Sequence, residues 1–432
     1  MKIKIDFNEV IGKIKPMHGV GQPPFTGVDF SMFEYLKDAG VPYSRLHDVG
    51  GAYGGGRWVD IPNLFRDFSA DENDENSYDF TFTDLLITAL VENGVEPFFR
   101  LGVTIENQAS IKSYRLDPPS DYHKWARVCE HIIRHYTEGW ANGFHYDIKY
   151  WEIWNEPDNY EEPNENQMWR GTKEQYYQLY DVASKHLKKC FPRLKIGGYA
   201  SCGFYAISQS FVKEANSSPR KEYFIEFFNG FLDYIKKNDC PIDFFSWHSY
   251  SDIDKNREYC DYAKKRLVNE GYGGVEIICN EWNAIVKDRG TYRHAAMTAG
   301  MMLMFQDAPL DSAMFYDARY GISIYGSLFN PLTKEPFPSY YAFTAFNQLY
   351  KLGAQTKVEF CEEGVYTVSA KNCENGCIVI ANTTPNDIPL ELDMNATIER
   401  CIMTANGENE KEINTITMLP KESITVVYAK LQ

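Results

Sequence analysis

The 432-residue chain is 44% hydrophobic and 24% charged, a balance that excludes disorder as its dominant state. Its 44 Lys and Arg against 60 Asp and Glu give a net charge of −16, which repels phosphate backbones and argues against general nucleic-acid binding. The longest nearly apolar stretch, AAMTAGMMLMF at 295–305, is about half the length a membrane span needs. The N-terminal MKIKIDFNEV alternates polar and apolar residues and lacks the continuous apolar segment of a signal peptide, so a cytoplasmic protein without a membrane partner is expected. Ten cysteines are scattered through the chain and do not read as a disulfide framework.

Eight short apolar runs follow one another: 16–21, 42–48, 96–102, 148–156, 194–200, 242–250, 275–281 and 312–317. Segments of helical spacing separate them, at 30–39, 83–92, 120–136, 172–189, 224–237, 256–269, 292–305 and 339–352. The fourth opens on TKEQ, a capping box in which Gln175 stands three residues after Thr172. Strand and helix alternating eight times predict an α/β fold, a (β/α)8 TIM barrel over 15–352. The open doubly wound sheet usually carries a glycine-rich phosphate turn after its first strand, and G-x-G-x-x-G is missing. After Gly353 the period changes to two, in VYTVSA, CIVIAN, IPLELDM and SITVVYA, with turn residues between them. This predicts an accessory antiparallel β-sandwich over 353–432, to which 1–14 contributes a strand.

In such a barrel the chemistry gathers where the strands end. The fourth run, KYWEIWNEPDN, turns polar at Asn155 and Glu156, and Pro157 stops the ladder. The seventh, VEIICNEWNA, ends on Glu281 in the same way. Two carboxyl groups facing one pocket suit glycosidic-bond cleavage, because one must donate a proton while the other is ionised. Like charges placed together push the two pKa values apart. The residues alone do not say which glutamate plays which part.

Around the pair, Arg45 and His47 end the second run, and a cation there would hold a carboxylate ionised. His248 and Tyr250 end the sixth run on one face of the strand. Trp282, Asn283 and Tyr316 follow as substrate-binding candidates, with Trp58, Trp154 and Trp247 as alternative sugar platforms and His18, Arg100 and Asp317 as further pocket candidates. The GGAYGGG stretch at 50–56 is a candidate rim over the pocket. Three metal-like motifs fail on their spacing. HIIRH at 131–135 lacks the glutamate of H-E-x-x-H, Cys373 and Cys377 have no second pair, and DENDEN at 71–76 lacks the glycine of a calcium loop. No metal and no cofactor are expected.

WEIWNEPD at 151–158, MWRGTKEQYY at 168–177, KIGGYA at 195–200, IDFFSWHSY at 242–250 and CNEWN at 279–283 together resemble glycoside hydrolase family 39 of clan A, over roughly 15–350. The resemblance implies a retaining glycoside hydrolase, most similar to β-xylosidases, with β-glucosidase, β-galactosidase, arabinosidase and iduronidase-like exo-enzymes as alternatives and a non-catalytic carbohydrate-binding barrel as the alternative of another class. It implies Glu156 as acid/base, Glu281 as nucleophile, and Asn155 as the residue that bonds the sugar 2-hydroxyl. The expected partner is a glycoside or oligosaccharide, and the resemblance is compatible with a homo-oligomer. HDVGGAYGGGRW at 47–58 and AMFYDAR at 313–319 depart from the family pattern.

Overall fold

The computed structural model describes residues 1–27, 30–49, 58–104, 116–207, 218–319 and 324–431. A long strand β1 (Lys2–Lys13) precedes a closed barrel. The barrel strands are β2 (Gly19–Gly21), β3 (Tyr43–Leu46), β4 (Glu96–Leu101), β5 (Tyr150–Ile153), β6 (Lys195–Ser201), β7 (Phe244–Ser249), β8 (Glu276–Trp282) and β9 (Ser312–Tyr316). All neighbours pair in parallel, and β9 closes on β2 through Met314 opposite Gly19. The helices that return the chain are α1 (Phe33–Asp38), the short α2 (Ile61–Leu64), α3 (Thr81–Glu92), α4 (Tyr122–Thr137), α5 (Lys173–Cys190), α6 (Pro219–Lys237), α7 (Ile253–Asn269), α8 (Tyr292–Asp307) and α9 (Tyr340–Leu352). The protein is thus a (β/α)8 barrel, and each predicted run supplies one strand.

Local chemistry sets the helix starts. Thr172 and Gln175 make the reciprocal capping box at α5, and Asp121 accepts from the Lys124 amide at 3.0 Å to open α4. Inside the barrel, Phe98, Phe244, Ile278 and Met314 from four strands close the floor. Their odd or even partners on the same strands turn outward onto the helices, as strand alternation requires. Among the described residues no helix is long and apolar enough to cross a membrane.

The accessory domain is one eight-stranded sheet. Its strands are β10 (Ala354–Glu359), β11 (Val365–Lys371), β12 (Asn375–Asn382), β14 (Glu391–Met394), β15 (Ala396–Ala405), β16 (Glu408–Ile413), β18 (Ser423–Leu431) and β1. A two-stranded ribbon of β13 (Ile388–Pro389) and β17 (Met418–Leu419) lies apart from it. β1 sits between β10 and β14, antiparallel to the first and parallel to the second, so one pair departs from an all-antiparallel sheet. Bulges near Val10 let β1 bend, and Ile3, Ile5 and Phe7 share a buried cluster with Ile378, Ile380, Val427 and the ribbon residues Ile388 and Leu419. The accessory part is therefore largely one open sheet with β14 and β16 at its edges, the short ribbon sharing its buried cluster.

The other face of that sheet, through Cys377, Val379, Ala381 and Val426, joins the core of the barrel. This explains the apolar run at 295–305. α8 is buried on nearly every side, with barrel strands beneath it and the sheet above. Gly300 permits the approach, since a Cβ there would stand 2.9 Å from Tyr366 and 3.1 Å from Ile253. The motifs without metal spacing resolve accordingly. His135 stacks on Phe80 and bonds Asp84 at 3.0 Å, Asp71 and Asp74 cap local turns, and Cys373 is exposed while Cys377 is buried.

Candidate active site

Both strand-end glutamates reach the barrel mouth through breaks in strand alternation. At the end of β5, Trp154 takes φ 73° and Glu156 φ 43°, left-handed values that non-glycine residues rarely adopt. The Trp154 ring turns outward between Trp125 and Trp169, and Asn155 and Glu156 both face the mouth. On β8 the register slips, with Trp247 opposite Cys279 but His248 opposite Glu281. The extra residue is Asn280, so Asn280 and Glu281 both point inward, and Trp282 turns out against Phe305 and Phe315.

Beneath the glutamates lies a buried polar layer. Arg45 from β3 donates through Nε to Glu152 Oε2 at 2.8 Å, through Nη1 to Glu281 Oε2 at 3.2 Å and through Nη2 to Asn155 Oδ1 at 2.5 Å. Ser246 and Asn280 each donate to Glu152 Oε1 at 2.5 Å. One guanidinium thus fixes the acceptor of Asn155 and one oxygen of Glu281, and Glu152 fixes the guanidinium.

His248 stands between the two glutamates. Its Nδ1 lies 2.8 Å from Glu156 Oε1 and its Nε2 3.6 Å from Glu281 Oε2. Asn159 Nδ2 donates to the other Glu156 oxygen at 2.8 Å, and the Tyr250 hydroxyl donates to Glu281 Oε1. Burial lowers the His248 pKa, but the charges of Glu281 and Glu156 outweigh it and the imidazole is raised above its ordinary value. Burial pushes Glu156 up, and the His248 hydrogen bond and charge outweigh it, leaving Glu156 below the usual carboxylate range. Glu281 is raised, by burial and by the Glu156 charge, against the pull of His248, Arg45 and Tyr250. Both directions favour a protonated His248 facing an ionised Glu156 across 2.8 Å. Burial also keeps Tyr250 a phenol and holds His47 neutral, the latter helped by Arg100 and Arg45.

The two glutamates open into a cleft of about 420 Å³, within the usual size range for a small-molecule site. His47, Asn155, Tyr250 and Tyr316 line it, as do Asp48, Tyr205, Phe224 and Tyr325. Gln22 Nε2 and the Tyr316 hydroxyl both donate to Asp48 Oδ2 at 3.0 Å, which aligns that carboxylate at the cleft wall. Tyr250 and Tyr325 rings stand 5.0 Å apart, an aromatic wall for the C–H face of a sugar.

Several candidates fall elsewhere. Trp282 is wholly buried and faces α8, because the β8 bulge restores alternation one residue late. Asn283 donates to the Tyr316 carbonyl at 2.7 Å and bonds His294, so it ties β8 to the end of β9. Trp247 packs on Phe204 and Tyr259, and Trp58 stacks on Phe82. His18 is buried between Phe346 and Tyr350. Arg100 pairs with Asp60 at 2.7 Å, and Asp317 with Arg319 at 3.6 Å. The 50–56 stretch lies outside the described residues. Missed in the sequence were Glu152, four residues before Glu156, and Asn159, three after it. Both sit within the quoted motif, where a carboxylate in mid-strand and a second asparagine were the available signals. Asp48 closed the second apolar run and so carried the strand-end signal, whereas Tyr205 and Tyr325 carried none.

One carboxylate oxygen from each glutamate and a nitrogen of His248 lie within 4.8 Å of one another, a donor set that could also take a cation. Arg45 already supplies positive charge there.

The comparisons with known proteins agree with this geometry. The family model described as "Glycosyl hydrolases family 39" matches residues 54–270, half of the chain. A β-xylosidase of Caldicellulosiruptor saccharolyticus is 25% identical over 445 residues, covering 90% of this chain and 80% of that protein. A β-xylosidase of Geobacillus stearothermophilus is 25% identical over 223 residues, 50% of this chain and 39% of that one. Among solved structures, a glucosidase from Croceicoccus marinus superposes with a TM-score of 0.81 at 19% identity, covering 100% of this chain and 99% of the other. A monomeric β-xylosidase from Caulobacter crescentus superposes at 0.70 and 14%, again covering 100% and 99%. The chain belongs to glycosyl hydrolase family 39, and its substrate is a carbohydrate joined through a glycosidic bond.

Proposed function

We propose that the protein is a retaining exo-β-glycosidase of β-xylosidase type, with Glu281 as nucleophile and Glu156 as acid/base. The observation that carries this reading is the closeness of the two carboxylates, whose facing oxygens lie within 4.8 Å. Retaining enzymes hold their carboxyl groups about 5–5.5 Å apart, whereas inverting ones need about 6.5–9.5 Å to admit a water.

The net pKa directions run against the two parts, Glu281 raised and Glu156 lowered, so the assignment rests on the partners of each glutamate and on a proton passed from His248 when substrate binds. Glu281 accepts from Arg45 and Tyr250, both of which favour its ionised form. Glu156 instead faces the His248 imidazole, from which it can take a proton. When the sugar displaces water, that proton moves from Nδ1 to Oε1, which converts an ion pair into a neutral pair in a drier site. Glu281 then attacks the anomeric carbon as Glu156 protonates the departing oxygen, and the glycosidic C–O bond breaks. In the second half, Glu156 takes a proton from water, the oxygen of that water bonds the anomeric carbon, and Glu281 leaves as a carboxylate. Asn155, held by Arg45 through its Oδ1, has its Nδ2 free to donate to the sugar 2-hydroxyl. The xyloside preference draws on the two β-xylosidases that the sequence resembles.

The test is hydrolysis of aryl β-xyloside, β-glucoside, β-galactoside, α-arabinoside and α-iduronide, with the first-formed anomer followed by proton NMR. The β-anomer released fastest from a β-xyloside is the expected result. The α-anomer would overturn retention, and a stronger turnover of another glycoside would overturn the xyloside assignment.

A further inference from the structure

The geometry points to a second, non-catalytic site: a zinc-class divalent metal site on the seam between α4 and α5, formed by Glu130, His186 and Cys190. The three offer a carboxylate oxygen, an imidazole nitrogen and a thiol sulfur, all within 4.8 Å of one another. His186 Nε2 is the shared centre, 2.6 Å from Glu130 Oε2 and 3.9 Å from Cys190 Sγ. Thiolate, imidazole and carboxylate are each zinc ligands, and with a water in the fourth position they would complete a tetrahedron. Bond lengths of about 2.0–2.3 Å place tetrahedral donors roughly 3.3–3.8 Å apart. The observed spacings bracket that range, so small side-chain rotations suffice.

The placement is built rather than incidental. His186 and Cys190 are four residues apart on α5, one turn above the other on the same face. Glu130 reaches them from α4, so an ion there would clamp two neighbouring helices of the barrel shell. Arg134 donates through Nε to Glu130 Oε1 at 2.8 Å and so leaves Oε2 turned toward His186. An outer hydrogen bond of this kind orients a ligating carboxylate. The Arg134 charge is divided with Glu138, to which it also donates. Cys190 is the last residue of α5, where the outward-facing carbonyls of the helix end favour a cation. All three side chains are half-buried, which leaves a path for the ion and a place for its water.

The alternative is a plain His186–Glu130 ion pair in which the thiol is a bystander. Cobalt(II) separates the two. Titrated into the reduced full-length protein, Co²⁺ should bind one per chain. It should give tetrahedral d–d bands together with a thiolate-to-cobalt charge-transfer band, and Zn²⁺ should bleach both. Cys190→Ser should abolish the charge-transfer band and weaken Zn²⁺ binding by more than the roughly 10–100-fold that loss of an outer partner causes. The double variant Cys361→Ser/Cys373→Ser, which removes the two exposed thiols, should keep the band. Metal lodged at Glu156, His248 and Glu281 has only the Cys202 thiol beside it in the cleft, so any band from that site would persist in Cys190→Ser. The melting temperature of each variant without metal reports that it is folded. A charge-transfer band that survives Cys190→Ser, or no band in the wild type, overturns the proposal.

Discussion

Arg45 and Glu152 form an ion pair sealed inside the barrel, with Nη2 2.7 Å from Oε2 and neither side chain more than 1% exposed. Removing both charges from water costs more than their attraction reliably returns, so such a pair is poorly explained by stability alone. What it does is position: the same guanidinium reaches Asn155 and Glu281. Glu152→Ala should therefore strip Arg45 of one partner and destabilise the protein, by less than the about 3–5 kcal/mol of an uncompensated buried charge because Glu281 still faces the guanidinium. Urea unfolding measures this. Kinetics should show kcat falling more than KM rises, because Arg45 is then free to shift onto Glu281. An unfolding curve like that of the wild type would refute the role given to the pair.

The two glutamates can be told apart by what rescues them. If Glu281 is the nucleophile, Glu281→Gly should be inactive on an aryl β-glycoside, and added azide should attack the anomeric carbon from the vacated face and give the α-glycosyl azide. If Glu156 is the acid/base, Glu156→Gly should still form the glycosyl-enzyme from a substrate with a good leaving group. Azide should then open that intermediate and give the β-glycosyl azide. For poor leaving groups the Glu156 variant should lose about 10²–10⁴-fold in rate, the usual worth of general acid catalysis. Product NMR reads the anomers, and the opposite pairing of variant and anomer would exchange the two roles.

His248 should set the basic limb of the pH profile. Its proton is held above the ordinary imidazole value, because Glu281 and Glu156 together outweigh burial. Activity that needs this proton is present at lower pH and lost as pH rises through the raised value. In His248→Gln the last proton must rest on Glu156 itself, a carboxyl that burial raises but from a starting value of 4.5 against 6.5 for the imidazole. The basic limb of kcat/KM should move to lower pH. A basic limb that stays in place would mean that His248 takes no part in holding the proton.

The barrel was legible because its signals are local. Each strand is a short apolar run, each helix has its own period, and the Thr172 capping box forms as written. Glu156 and Glu281 were legible because position at a strand end is itself the signal. The direction of their neighbours was not. Trp282 and Trp154 read as pocket aromatics, and a bulge at Asn280 and a left-handed turn at Trp154 send both rings outward. Such one-residue slips carry no periodicity of their own. Glu152, buried and bonded from three sides, was hidden for a related reason: a charged residue in mid-strand makes sense only once Arg45 arrives from 107 residues away.

Asp158, two residues past Glu156, makes the stability of the mouth depend on pH. Burial and the nearby Glu156 charge, opposed by hydrogen bonds from Ser201 and the Cys202 amide, raise its pKa to about 7 from 3.8. Below pH 4 the group is protonated whether the chain is folded or not, and above pH 7 it is ionised in both. Between those values the folded protein holds a proton that the unfolded chain has released, so stability is present at the acid end and is lost as pH rises. Asp158→Asn keeps an acceptor for Ser201, whose hydroxyl lies 2.7 Å from Oδ2, and removes the titration. Other groups titrate alike in both proteins, so the difference between them isolates this residue. Relative to wild type, the asparagine variant should gain on the order of 2–4 kcal/mol between pH 4 and pH 7, read by denaturant unfolding at each pH. A difference that stays flat across that window would mean that Asp158 is ionised in the folded protein throughout, and that its hydrogen bonds outweigh its burial.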